Sequence, residues 1–183
     1  MSVMEFILVA HAIIVGLAVA EILRGFSELI RSGAIQVNYR LLLIAVWTLL
    51  LLLQVWWAIW QVGGREVWTF LEFIIFLLPV AILYVIARLC FPAVLTGADL
   101  SAYYHRVAPV IWWLVAATYA SFALLLSPVI FGSFLPLVFT SQIAIVILAL
   151  IATRVTSPPF QTFVIGAMLA QVLWRGLSSV VGS

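Results

Sequence analysis

Apolar runs of about twenty residues, the length a helix needs to cross a bilayer, recur six times in this chain and leave it little choice of fold. They cover about Phe6–Phe26, Leu41–Trp60, Val67–Leu89, Val107–Leu126, Phe134–Ala152 and Phe160–Val181. Lipid cannot satisfy backbone N–H and C=O groups, so runs of this kind must close their hydrogen bonds internally, as helices. Only 8% of the 183 residues are charged and 67% are hydrophobic. A soluble domain carries roughly 25% charged residues. The expectation is therefore an all-α integral membrane protein, a six-transmembrane-helix bundle in one domain spanning residues 1–183.

The breaks between the runs carry turn chemistry. Ser32-Gly33 and Asn38 follow the first run, Gly63-Gly64-Arg65-Glu66 the second, and Pro92, Gly97 and Asp99 the third. Ser127-Pro128 with Gly132-Ser133 follows the fourth, and Thr156-Ser157-Pro158-Pro159 precedes the sixth. Pro109 and Pro136 fall near the expected run starts, where a missing N–H costs little. Pro79 falls mid-run and leaves the carbonyl of Ile75 without its usual partner, which predicts a kink in the third helix. The piece Gly97–Arg106 reads as a short amphipathic segment on the membrane surface. Six spans also admit two three-helix halves, a 3+3 arrangement, although the halves share no convincing sequence match.

All eight basic side chains are arginines. Six alternating spans put Arg24, Arg31, Arg40, Arg88, Arg106 and Arg154 near one side and leave Arg65 and Arg175 near the other. The positive-inside rule makes the first side cytoplasmic and turns both termini outward, to the periplasmic or extracellular side of an inner (plasma) membrane. Trp56, Trp57, Trp60 and Trp68 at one level, and Tyr39, Tyr103 and Tyr104 at the other, fit interfacial belts. The N-terminus lacks a basic region and a cleavage site, so the first run reads as a retained helix.

Met4–Arg31 combines a lipid-like run with His11, Glu21, Arg24, Glu28 and Arg31. Glu21, Arg24, Glu28 and Arg31 lie 3, 4 and 3 residues apart, along one side of a helix. Ionisable groups inside a bilayer face protein or water, because insertion costs about 2.5–3.5 kcal/mol each. With ~1.5 Å of rise per residue, His11, Gln54, Glu72 and Arg175 share the outer quarter of the membrane. Gln142 and Gln171 lie nearer the midplane, and Glu21, Arg24 and Arg88 match at the inner side. Glu21, Arg24, Glu28 and Arg88 read as structural ion pairs near the interface, where arginine snorkels. The outer residues, with Gln142 and Gln171, read either as a relay for protons or ions or as packing contacts. Ala12, Gly16 and Ala20 form a row that lets a helix approach closely, from the same chain, a second copy or another membrane subunit.

Several function classes are excluded or disfavoured. No clustered basic face suits nucleic acid. The single cysteine, Cys90, has no CxxC or Cys/His companion, and reads as a buried small hydrophobe. His11 and His105 sit at different depths, so one chain cannot hold a haem between them. There is no HExxH, GxSxG or phosphate-loop motif, and Asp99 is the only aspartate, which rules out paired membrane aspartates. No cofactor, metal ligand set or catalytic residue is expected.

His11 in its helix context, the run Gln54–Trp60 and the run Asp99–Arg106 together are similar to a loosely defined set of bacterial six-helix polytopic membrane proteins. The likeness covers the first four helices best and implies a six-helix fold in a bacterial inner membrane, with no activity attached. Arg24-Gly25-Phe26-Ser27-Glu28 is similar to the Arg…Phe-Ser-Asp signature of a six-helix potassium-channel family. Here it closes the first helix instead of opening it, and Glu replaces Asp, so it brings no pore residues. The functional expectation is translocation of protons, ions or a small solute through the outer polar layer. The alternative is a non-catalytic structural or assembly subunit of a larger membrane complex or homo-oligomer.

Overall fold

The computed structural model describes residues 3–32, 37–59, 67–95, 97–129 and 136–178. Among the described residues there are six helices and no strand: α1 (Val3–Ser32), α2 (Tyr39–Ala58), α3 (Phe70–Leu89), α4 (Leu100–Val129), α5 (Pro136–Ala152) and α6 (Pro158–Ser178). α1, α2, α3 and α4 are long and apolar enough to cross a membrane, while α5 is apolar but only 17 residues long. An all-helical membrane bundle accounts for these lengths and compositions. Trp60, Arg65 and the ends expected at Phe134 and Val181 lie outside the described residues.

Side chains at the helix starts explain three boundaries. Asn38 Oδ1 accepts from the backbone N–H groups of Arg40 and Leu41, satisfying donors that have no partner inside α2. Thr69 and Glu72 form a reciprocal capping box at the head of α3. Asp99 Oδ1 accepts from Ser101 and Ala102, one residue beyond the turn at Ala98 and two beyond Gly97, whose φ of +73° suits glycine. That cap starts α4 at Leu100. The expected surface segment ending at Arg106 is therefore the first two turns of α4, held by the buried row Leu100, Tyr104, Ala108 and Ile111 at helical spacing. Pro109 is consequently interior to α4, not at its start. α3 runs without a break through Pro79, which is itself buried.

Between Ser121 and Leu126 α4 widens into a π-helical stretch. The Ser127 N–H reaches back five residues to the Phe122 carbonyl, and the Ser127 hydroxyl donates to the same oxygen at 2.9 Å. Thr118 and Ser121 likewise return their hydroxyls to the carbonyls of Leu114 and Thr118. No such widening is visible in the sequence pattern.

α1 and α3 pack in parallel at a nearly constant sequence offset. Phe6 meets Phe73, His11 meets Phe76, Glu21 meets Arg88 and Phe26 meets Phe91. α2 and α6 are parallel too, joined by Arg40 with Gln161, Tyr39 with Thr162 and Gln54 with Val172. α4 packs against α3 on one side and α5 on the other, and α5 against α6. The interior is filled by Leu41, Ile44, Trp47, Leu52, Val80, Leu83, Ile111 and Trp112. Val9, Ile13 and Leu17 of α1 point outward, as do Ile147 and Phe163, the arrangement a lipid-facing surface requires. Ala12, Gly16 and Ala20 are also exposed, and a Cβ at Gly16 would meet nothing within 4 Å.

Candidate functional site: polar groups inside the bundle

Glu21 is the hub of one polar cluster. Its Oε2 accepts from Arg24 Nη2 at 2.8 Å and its Oε1 pairs with Arg88 Nη1 of α3 at 2.9 Å. Arg24 also donates to Glu28 Oε1 at 2.7 Å. Helical spacing of 3 and 4 residues makes the first and third pairs, and the parallel α1–α3 register makes the second. All four side chains keep part of their surface open, so the cluster clips α1 to α3 at modest strength. Arg31, the next member of the stripe, is exposed and turns back to the Ser27 carbonyl.

The residues expected in the other layer take different surroundings. His11 is 1% exposed, its ring lies 5.0 Å from that of Phe76, and neither Nδ1 nor Nε2 has a hydrogen-bond partner among the described residues. Gln54 Nε2 donates to the Val172 carbonyl on α6. Glu72 accepts from the N–H and hydroxyl of Thr69, so one of its carboxylate oxygens caps its own helix. Arg175, half-buried near the end of α6, lies within electrostatic reach of Tyr119. His11 is thus joined to none of Gln54, Glu72 or Arg175 by a hydrogen bond.

Nearer the middle, Gln171 Nε2 donates to the Ser141 hydroxyl at 2.9 Å and ties α6 to α5. Its neighbour in the expected pair, Gln142, is 2% exposed with Oε1 unpartnered. Trp47 of α2 donates its indole N–H to the Tyr119 hydroxyl of α4 at 3.3 Å, with the rings stacked 6.0 Å apart.

Sequence reasoning missed the most connected buried group. Arg40 is 6% exposed, and its Nη1 donates to Gln161 Oε1 at 3.1 Å. The Tyr104 hydroxyl donates to the same oxygen at 2.8 Å, and Gln161 Nε2 donates to the Val155 carbonyl. The guanidinium carbon lies 4.5 Å from the centre of the Tyr104 ring and 5.9 Å from that of Tyr39. The signal was present: Arg40, Tyr104 and Gln161 each fall within the first turns of α2, α4 and α6, and alternating helices bring those starts to one end.

Polar side chains, buried at one end and half-buried at the other, therefore follow the α2–α4–α6 side of the bundle. They run from Arg40, Tyr104 and Gln161, through Trp47 and Tyr119, to Gln54 and Arg175. The helices on this side carry no carboxylate inside them, since Asp99 is the cap of α4 and the glutamates lie in α1, in α3 and at Glu66. Among the described residues no three or more His, Cys, Asp or Glu side chains are grouped to hold a metal ion. No protein-family model, curated protein or solved structure matches the chain.

Proposed function

We propose that the chain is a six-span protein of a bacterial inner membrane that passes a small ion or solute, protons included, through the polar seam between α2, α4, α5 and α6. Arg24, Arg31, Arg40, Arg88, Arg106 and Arg154 mark the cytoplasmic end in this reading, and both termini face outward. α5, short for a span at 17 residues, is within the length that still crosses. The observation that supports translocation is the run of buried and half-buried polar groups from Arg40 to Arg175, because an apolar bundle has no packing need for so many. Gln54, Gln142, Gln171 and Arg175 belong to this path. His11 and Glu72 stand beside it, one against Phe76 and the other capping α3.

The test is flux into liposomes loaded with dyes for protons, common cations and small anions. Gln171→Leu is expected to slow the transported species about tenfold, the effect of ~1.4 kcal/mol on a barrier, and Glu72→Gln to leave the rate nearly unchanged. If wild-type protein moves none of these species faster than empty liposomes do, the reading fails.

One observation favours a second reading, that of a structural or assembly subunit. The Ala12, Gly16 and Ala20 row is open on the surface of α1, where a close helix neighbour would fit. Gentle purification that returns only monomer, with no co-purifying subunit, would sink that reading.

A further inference from the structure

Arg40 is a buried cation that pairs with no anion among the described residues. Of its three nitrogens, Nη1 has a neutral amide oxygen as partner and Nε has no partner among the described residues. No carboxylate pairs with it among the described residues. The carboxylate of Asp99, at the start of α4, accepts two backbone N–H groups there. Glu21 and Glu28 are engaged by Arg24 and Arg88 on the α1–α3 side.

A guanidinium cannot shed its proton to escape this situation, and an ion taken out of water without a counter-charge is strongly disfavoured. The surroundings hold the group in place instead of neutralising it. Tyr104 stacks on its face, and Gln161 is fixed from two further sides by the Tyr104 hydroxyl and the Val155 carbonyl. The fork is therefore pre-oriented with its Nε donor unused among the described residues. A planar fork of this kind matches the oxygens of a phosphate or carboxylate, which accept two parallel N–H bonds.

We propose that Arg40, with Tyr104 and Gln161 orienting it, is the binding site for an oxyanion of the phosphate class at the end of the bundle where α2, α4 and α6 begin. The anion supplies the charge that the protein omits. A phospholipid headgroup and free phosphate present the same chemistry here, since the site lies where the helices start. The site does not depend on translocation, and binding is read without any gradient, so failed flux and failed binding are separate results.

The experiment is thermal unfolding of purified protein in a neutral detergent. Inorganic phosphate is titrated in one arm, with chloride at matched ionic strength as control. In a second arm the protein sits in nanodiscs of phosphatidylcholine with or without phosphatidylglycerol, with native mass spectrometry for retained lipid. A ligand at a hundredfold excess over its dissociation constant is expected to raise Tm by roughly 5–10 °C. A rise with phosphate identifies a free oxyanion. A rise with phosphatidylglycerol alone, with one lipid retained, identifies a headgroup. In both cases Arg40→Gln, which removes the charge and keeps a polar group, unfolds no lower than wild type without the anion and loses the rise. Tyr104→Phe keeps the stacked ring, frees Gln161 from one hydrogen bond, and weakens the response about threefold or more. The proposal is overturned if neither anion shifts wild type, or if Arg40→Gln or, should that variant not fold, Arg40→Lys and Tyr104→Phe both retain the full shift.

Discussion

Gly25→Ala adds one methyl group at the point where α1 crosses the end of α3. A Cβ at this position would lie 2.6 Å from Phe91 Cε2 and nearer still to Cδ2 and Cγ of the same ring. Because Cγ is the root of the ring, a rotation about χ2 does not relieve the overlap. Phe91 is 4% exposed and packed edge-on against Phe26, with ring centres 5.3 Å apart, so it has no room to retreat. Overpacking of this kind costs about 1–3 kcal/mol. The same substitution also gains about 1 kcal/mol of helix propensity, which leaves Gly25→Ala between neutral and about 2 kcal/mol less stable. Gly16→Ala isolates the propensity part, because it is exposed on the same helix with nothing within 4 Å. The difference between the two variants is then the clash alone, about 1–3 kcal/mol, or roughly 2–12 °C in Tm for a chain of this size. Circular dichroism melts of both variants in one detergent measure it. Equal melting temperatures for Gly16→Ala and Gly25→Ala would refute the argument that the α1–α3 crossing is set by contact with the Phe91 ring.

Two further variants probe the interior and the charged clip. Tyr119→Phe removes the acceptor of the buried Trp47 indole N–H and is expected to cost about 1 kcal/mol, towards the lower end for an orphaned donor because the bond is long at 3.3 Å. An unchanged melt would mean that the ring stacking alone holds α2 to α4. A double-mutant cycle of Glu21→Gln with Arg88→Gln should give a coupling of about 0.2–1 kcal/mol, smaller than for a buried pair, because both side chains are only partly buried. A cycle that closes at zero in low salt would show that the 2.9 Å contact contributes nothing.

Each expected apolar run has a helix over most of its described part, because hydrophobic length is a property of the chain itself. The Glu21–Arg88 match was also legible, since two residues on helices of fixed rise can be compared by counting. Boundaries were less so. Hydropathy starts the fourth run at Val107, whereas Asp99 starts the helix at Leu100, and one hydrogen-bonding side chain outweighs a polar stretch. Glu72 was ranked by depth alone, although Thr69 three residues before it is the pattern of a capping box. The Arg40 cluster joins positions 121 and 57 residues apart. Reading it needs the relative rotation of α2, α4 and α6, which counting along single helices does not supply. The π-helical stretch in α4 left no periodic trace, because six residues cannot separate its repeat from that of an α-helix.

The parallel register of α1 on α3 has a consequence for synthesis. Glu21 is made 67 residues before Arg88, an interval of roughly 3–13 s at about 5–20 residues per second. Throughout that time the counter-charge at hand on its own helix is Arg24, three residues along. The intrahelical pair thus acts as a holding partner, shielding a carboxylate until the third helix arrives and takes the other oxygen. A chain lacking Arg24 would be tested hardest during its birth, and its shortfall would show in the yield of inserted protein before it showed in the stability of the finished bundle.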